Sequence, residues 1–270
     1  MSIEIKSEQE KELLESLTAW KLKLTACTFQ NDSDMRVMEQ FLEFVRECGD
    51  FPDYADILRT PQFSYFQSFF KGRYLDYIDR LEQTETELLL GTKVAKLGSF
   101  TDVFRGAFGQ QAYARTMEIF ELVDFSSCDT FVMVGCGPLP VSVLAVHDRT
   151  ETREIIGLDI RAEAIATANR IISDFALSRI RLIAQDAITF DYAVADIIYV
   201  ANMVSPKRSV LKSIAEKAKS GTIVVVREPI LEGQLLAESA ENYSDPRFCT
   251  LTRGEDHRRF LSKHVTLRKN

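Results

Sequence analysis

The sequence predicts an α/β protein: a doubly wound parallel sheet in the carboxyl-terminal half, preceded by an amino-terminal helical domain. Three observations predict it. Short β-branched runs alternate with helix-length segments from Thr130 onward, whereas apolar residues before that point recur at intervals of three and four. The first of the short runs breaks at Gly135-Cys136-Gly137, and the second ends on a carboxylate, Asp159.

Residues 1–125 are expected to be helical. Leu13, Leu14, Leu17, Trp20, Leu22 and Leu24 follow helical spacing, as do Met35, Met38, Phe41, Leu42 and Val45. Pro52 and Pro61 punctuate this segment, and a Phe/Tyr-rich stretch from Phe63 to Tyr77 leads into a helix ending near Leu90. Gly91, Gly98, Gly106 and Gly109 mark a looser region before a helix near Gln110–Leu122.

Strands are expected at Phe131–Val134, Glu154–Leu158, Arg181–Ala184, Asp196–Val200 and Thr222–Val226. Val141–His147, Ala162–Phe175 and Lys207–Ala218 supply the crossover helices, and Arg247–Arg253 with His264–Arg268 read as a closing antiparallel pair. This is the layout of a class I methyltransferase-type Rossmann fold. A boundary near Asp124–Cys128 divides the chain into residues 1–125 and 126–270.

Composition narrows the function. Apolar residues at 46% and charged residues at 27% suit a soluble globular protein, and a net charge of -7 argues against nucleic acid as a partner. The start of the chain is too charged for a signal peptide, and no apolar run is long enough to span a membrane. The expected setting is cytoplasmic, with no membrane partner and a homodimer as one possible assembly. Cys27, Cys48, Cys128, Cys136 and Cys249 form no Cys-x-x-Cys pair, so reduced thiols are expected. His147, His257 and His264 show no ligand spacing, so no metal is expected.

A dinucleotide site needs a third glycine where helix and strand pack around a pyrophosphate. Here the run is Gly135-Cys136-Gly137-Pro138-Leu139-Pro140, with a stiff proline pair instead. A neutral, fixed turn suits a ligand without phosphates. Asp159, with Ile160 beside it, would accept hydrogen bonds from ribose hydroxyls; Asp186 and Ala187, after the third strand, would meet the adenine. Turn and acids in this order point to S-adenosylmethionine.

Three segments carry a family resemblance. Val134-Gly-Cys-Gly-Pro-Leu-Pro140 resembles the Gly-x-Gly-Pro-Leu-Pro turn of nicotianamine synthases. Val200-Ala-Asn-Met-Val-Ser-Pro-Lys-Arg208 is similar to the segment after the fourth strand in their archaeal members. Thr84-Glu-Thr-Glu-Leu-Leu-Leu90 lies upstream of Tyr113 at about the separation that family has between its catalytic glutamate and tyrosine. The resemblance spans roughly Thr84 to Leu236 and extends to the enzymes of opine-metallophore assembly, of the staphylopine and pseudopaline type. It implies that S-adenosylmethionine donates its 3-amino-3-carboxypropyl arm to the amine of a small amino acid and leaves as 5′-methylthioadenosine.

An attacking amine must be neutral, so an acceptor arriving as ammonium needs a base. Glu85 shares a helical track with Ile78, Leu81 and Leu88 and is expected to face inward, where desolvation strengthens it as a base; Glu87 points elsewhere. The alternative is an inward glutamate paired with a structural cation. Tyr113 would hydrogen-bond the reacting amine or the donor's carboxylate, or else be a core tyrosine. Asn202 ends the fourth strand and could orient an amino-acid moiety; Arg227 could take a carboxylate bidentately. Lys207 and Arg208 are expected to be solvated charges. Rival readings are cyclisation of S-adenosylmethionine to azetidine-2-carboxylate, an ordinary small-molecule methyltransferase, and an inactive methyltransferase-like partner protein.

Overall fold

The computed structural model describes residues 8–51, 54–91, 103–104 and 106–270; Pro52, Gly98 and the charged first six residues lie outside them. The chain divides into two compact units. One comprises Met1–Arg80, Pro229–Ser239 and Asp256–Lys263; the other comprises Leu81–Glu228, Ala240–Glu255 and His264–Asn270. The division therefore departs from the one expected at residue 125. The reason is packing: Leu89, Tyr113 and Ile119, all upstream of residue 125, share a core with Phe131, Met133 and Val143.

The first unit holds helices α1 (Glu8–Thr25), α2 (Asp32–Cys48) and α3 (Tyr54–Ile57), with the first two-thirds of α4 (Pro61–Leu90). On α1, Leu13, Leu17 and Leu24 are buried, but Leu22 is 71% exposed. At about 100° per residue Leu22 falls well off the stripe those leucines define. Helix α2 begins where the Asn31 side chain accepts a hydrogen bond from the Asp34 amide at 2.9 Å. Phe41 of α2 stacks on Phe70 of α4 with centroids 4.5 Å apart.

The second unit is built on seven strands: β1 (Thr130–Val134), β2 (Glu154–Asp159), β3 (Ile180–Ala184), β4 (Ile197–Val200), β5 (Ile223–Pro229), β6 (Phe248–Arg253) and β7 (Ser262–Lys269). Their spatial order is β3-β2-β1-β4-β5-β7-β6. Strands β1 to β5 pair in parallel and β6 pairs antiparallel with β7, as the sequence predicts. Helices α5 (Ala107–Leu122), α6 (Val141–Arg149), α7 (Ala162–Asp174) and α8 (Lys207–Lys217) cover the sheet. Phe131 and Met133 share a core with residues of α5, α6 and α7, while Val132 and Val134 share one with α8. Alternation along β1 thus buries both faces, each fully buried Val or Phe contributing about 1.5–3 kcal/mol.

The chain runs β1 to β2 to β3 on one side and returns to β4 on the other side of β1. Ligands of open α/β sheets bind outside the carboxyl ends of the strands at such a reversal. Among the described residues, no helix is long and apolar enough to cross a membrane.

Candidate active site

The turn after β1 is formed by glycines that no other residue replaces easily: Gly135 has φ +78° and Gly137 φ +67°. Gly135 also needs its lack of a side chain, since a Cβ would stand 2.8 Å from Val204 Cγ2 in the segment after β4. The Gly135 and Cys136 amides both donate to the Leu158 carbonyl, at 2.8 and 2.9 Å. The Gly137 amide donates to Asp159 Oδ2 at 2.9 Å. All three amides are therefore committed to β2, where a pyrophosphate site would point them outward. Pro138 and Pro140 carry no N–H, and Pro140 caps α6 without a side-chain hydrogen bond. The donor set fits a neutral-to-cationic nucleoside and disfavours a phosphate.

Asp159 is 8% exposed, and its Oδ1 accepts from the Arg161 amide at 3.0 Å. The carboxylate is thus fixed at the end of β2 with lone-pair capacity remaining. Ile160, beside it, is 72% exposed. Ala184 pairs with Asp159, and just beyond it Asp186 Oδ1 accepts from the Ile188 amide at 2.8 Å. Asp159, Ile160, Asp186 and Ala187 therefore border one edge of the sheet. Cys136 is a packed thiol: burial first, then the charges of Asp159 and Glu82, push its pKa up. Its Sγ lies against Gly157, where a Cβ would stand 3.2 Å away.

Asn202, two residues past β4, is 9% exposed, and its Oδ1 is buried without a hydrogen-bond partner among the described residues. An orphaned buried carbonyl oxygen is costly unless a ligand donor meets it. An ammonium group is such a donor.

Glu85 faces inward as expected, at 4% exposure, and Glu87 is exposed. The inward face differs from the expected track, however: Leu88 is 49% exposed, while Thr86 and Leu89 are buried. Glu85 Oε1 accepts from the Gly106 amide at 2.9 Å, at the start of α5. A Cβ on Gly106 would lie 1.8 Å from Glu85 Oε2, so the carboxylate occupies a hollow that glycine leaves. The positive end of the α5 dipole faces it there.

One carboxylate escaped the sequence reading. Glu82 Oε2 stands where a Cβ on Gly137 would be 2.9 Å away, so Glu82 overlooks the glycine turn itself. Its three-residue spacing from Glu85 was the available signal.

Tyr113 is placed elsewhere. Its hydroxyl donates to Asp148 Oδ2 at 2.9 Å and accepts from Arg149 Nε at 3.1 Å, in the last turn of α6. Helix α6 starts directly after the glycine turn, so this is its far end. Desolvation pushes the phenol pKa up. The hydroxyl is thus tied to the last turn of α6.

Arg227 lies within β5, which runs on to Pro229, and is half-buried. Its carbonyl accepts from Lys207 Nζ at 2.9 Å. Lys207 is 0% exposed and lies 3.7 Å from Glu228 Oε1, which corrects its expected role as a solvated charge; Arg208 is exposed. Only the packing of α8 on β5 decides this, because a lysine at a helix start looks solvated in sequence. Among the described residues, no group of His, Cys, Asp and Glu could hold a metal ion.

Residues 127–262 match a family described as "Methyltransferase domain". Among solved structures, MtNAS, a nicotianamine synthase, is similar with a TM-score of 0.79 at 15% identity, over 95% of this chain and 98% of its own. That structure is a glutamate-to-glutamine variant in complex with S-adenosylmethionine. MtNAS in complex with MTA and tNA is similar with a TM-score of 0.79 at 16% identity, over 96% of this chain and 98% of its own. The shared property at such identities is the fold. A sequence search of curated proteins finds no match.

Proposed function

The chain belongs to the methyltransferase-domain family, and on that premise we propose that it is an S-adenosylmethionine-dependent aminocarboxypropyl transferase. It moves the 3-amino-3-carboxypropyl group to the amine of a small amino acid and releases 5′-methylthioadenosine. One observation carries this reading over methyl transfer. The likeness to MtNAS extends over 95% of the chain, well beyond the residues 127–262 that the methyltransferase-domain family accounts for.

The donor supplies a sulfonium with three activated carbons, and alignment with the nucleophile selects which one reacts. The chain's residues then have distinct parts. Gly135, Cys136, Gly137 and Pro138 form the bend that receives the nucleoside, Asp159 accepts from its ribose, and Ile160, Asp186 and Ala187 border its base. Asn202 offers its orphaned oxygen to an ammonium. Glu85 takes the proton from the acceptor's ammonium, leaving a neutral amine to attack. Arg227 receives the acceptor's carboxylate. Tyr113 holds α5 to α6 and so keeps the glycine-lined start of α5 against Glu85.

Methyl transfer is the second reading, favoured by the family match itself. Incubation with S-adenosylmethionine and a panel of amino acids, read by mass spectrometry, separates the two. The expected nucleoside product is 5′-methylthioadenosine, with the acceptor heavier by an aminocarboxypropyl group. S-adenosylhomocysteine would establish methyl transfer instead. Azetidine-2-carboxylate formed without any acceptor would establish cyclisation.

A further inference from the structure

Arg227 is gripped from both faces of the sheet. On the α8 side its carbonyl accepts from the fully buried Lys207 Nζ at 2.9 Å. Lys207 is paired with Glu228, whose Oε2 in turn accepts from the Ala240 amide at 2.8 Å. On the α5 side stands Tyr199 of β4, 4% exposed and in register with Val225 of β5. Its hydroxyl lies 3.3 Å from His264 Nε2 of β7, and the Arg227 side chain is near enough for its positive charge to act on the phenol. His264, 5% exposed, places Nδ1 3.2 Å from Glu118 Oε2 of α5. Arg115 of α5 adds its positive charge near the phenol.

The polarity of this chain follows from its carboxylate end. A carboxylate accepts, so His264 Nδ1 donates to Glu118, and with the ring neutral Nε2 is left to accept. The Tyr199 hydroxyl then donates to Nε2 and turns its lone pairs toward the Arg227 guanidinium. One phenol oxygen engages one edge of a guanidinium and fixes the plane of the rest. Phenylalanine would fill the space of Tyr199 with no polar group to satisfy. The chain buries a phenol and an imidazole instead, and it ends at the carboxyl edge of the sheet, where ligands bind.

We propose that Tyr199, oriented by the Glu118–His264 pair, is a positioning residue that fixes the Arg227 guanidinium as the receptor for the acceptor's carboxylate, an assignment that rests on the reading of the acceptor as an amino acid. Discrimination between an amino acid and the amine lacking its carboxylate is therefore set by four residues on α5, β4, β5 and β7.

The test is titration calorimetry on the full chain with 5′-methylthioadenosine present, using amino acids and their decarboxylated amines as probes. The wild type is expected to bind at least one amino acid about a hundredfold more tightly than its amine. Tyr199→Phe is expected to weaken the amino acid about tenfold and leave the amine unchanged, with the unfolding midpoint close to wild type. His264→Gln and Arg227→Lys should act in the same direction, and either suffices if Tyr199→Phe fails to fold. Equal weakening of amino acid and amine, unchanged amino-acid binding in the variants, or no discrimination in the wild type would overturn the proposal. The nucleoside product is a separate readout. S-adenosylhomocysteine with a carboxylate-selective loss sinks the transfer reading alone, and 5′-methylthioadenosine without that loss sinks this one.

Discussion

The carboxylate of Glu85 occupies the space that a side chain at Gly109 would need: a Cβ there would stand 2.8 Å from its carboxyl carbon and 2.6 Å from Phe104 Cδ1. Gly109 lies in the first turn of α5, where alanine would otherwise favour the helix by about 1 kcal/mol. The crowding reverses that sign. Gly109→Ala is expected to destabilise the chain by about 1–3 kcal/mol and to displace Glu85, lowering turnover at least tenfold. Urea unfolding together with nucleoside release measures both. A stabilised, fully active variant would mean that Glu85 moves aside at no cost to the reaction.

The two carboxylates of α4 should separate by phenotype. Glu85→Gln keeps an amide oxygen to accept from Gly106, so fold and donor binding are expected to survive while turnover falls about 10²–10⁴-fold. Glu82 faces the glycine turn, so Glu82→Gln is expected to raise the donor's Kd about tenfold instead. Calorimetry with S-adenosylmethionine beside single-turnover kinetics distinguishes them. The opposite pattern would exchange the roles assigned to these two residues.

Lys207 and Glu228 are 0% and 2% exposed, and their charges compensate each other in the core. Lys207→Met leaves Glu228 buried beside an apolar chain and is expected to cost about 3–5 kcal/mol of stability. Adding Glu228→Gln, which preserves an acceptor for the Ala240 amide, should recover part of the loss. Urea midpoints of the single and double variants give the coupling. A Lys207→Met protein as stable as the wild type would show that the pair is not coupled.

Thiol reactivity should follow burial. Burial pushes Cys48 up to about 12 and Cys128 up to about 11, and it raises Cys136 as well. A raised pKa keeps the thiol protonated, so at pH 8 these side chains hold little thiolate. Cys249 is exposed, whereas Cys27, Cys48, Cys128 and Cys136 are buried. Brief iodoacetamide treatment at pH 8 should therefore modify Cys249 first, and denaturant should open all 5. Peptide mapping that finds Cys136 alkylated in the native protein would contradict the packing of the glycine turn.

Much of the architecture was legible because it is written in neighbours. The strand runs, the crossover helices and the Gly135–Pro140 turn depend on residues within a few positions of each other, and each appears where its local pattern places it. Asp159 was legible for the same reason, as the acid ending the second strand. Helical spacing also places Glu85 on an inward face, although Leu89 rather than Leu88 shares that face.

Residues whose role depends on distant partners were read less well. Lys207 meets the Arg227 carbonyl 20 positions away, Tyr113 meets Asp148 across 35, and Tyr199 meets His264 across 65. Local periodicity thus settled the strands, the helices and the phosphate-free bend between β1 and α6. Folding decided which side chains lose water, which charges neutralise one another, and which glutamate overlooks the bend. Solvation and Coulomb forces act through space, and closeness along the chain does not report it.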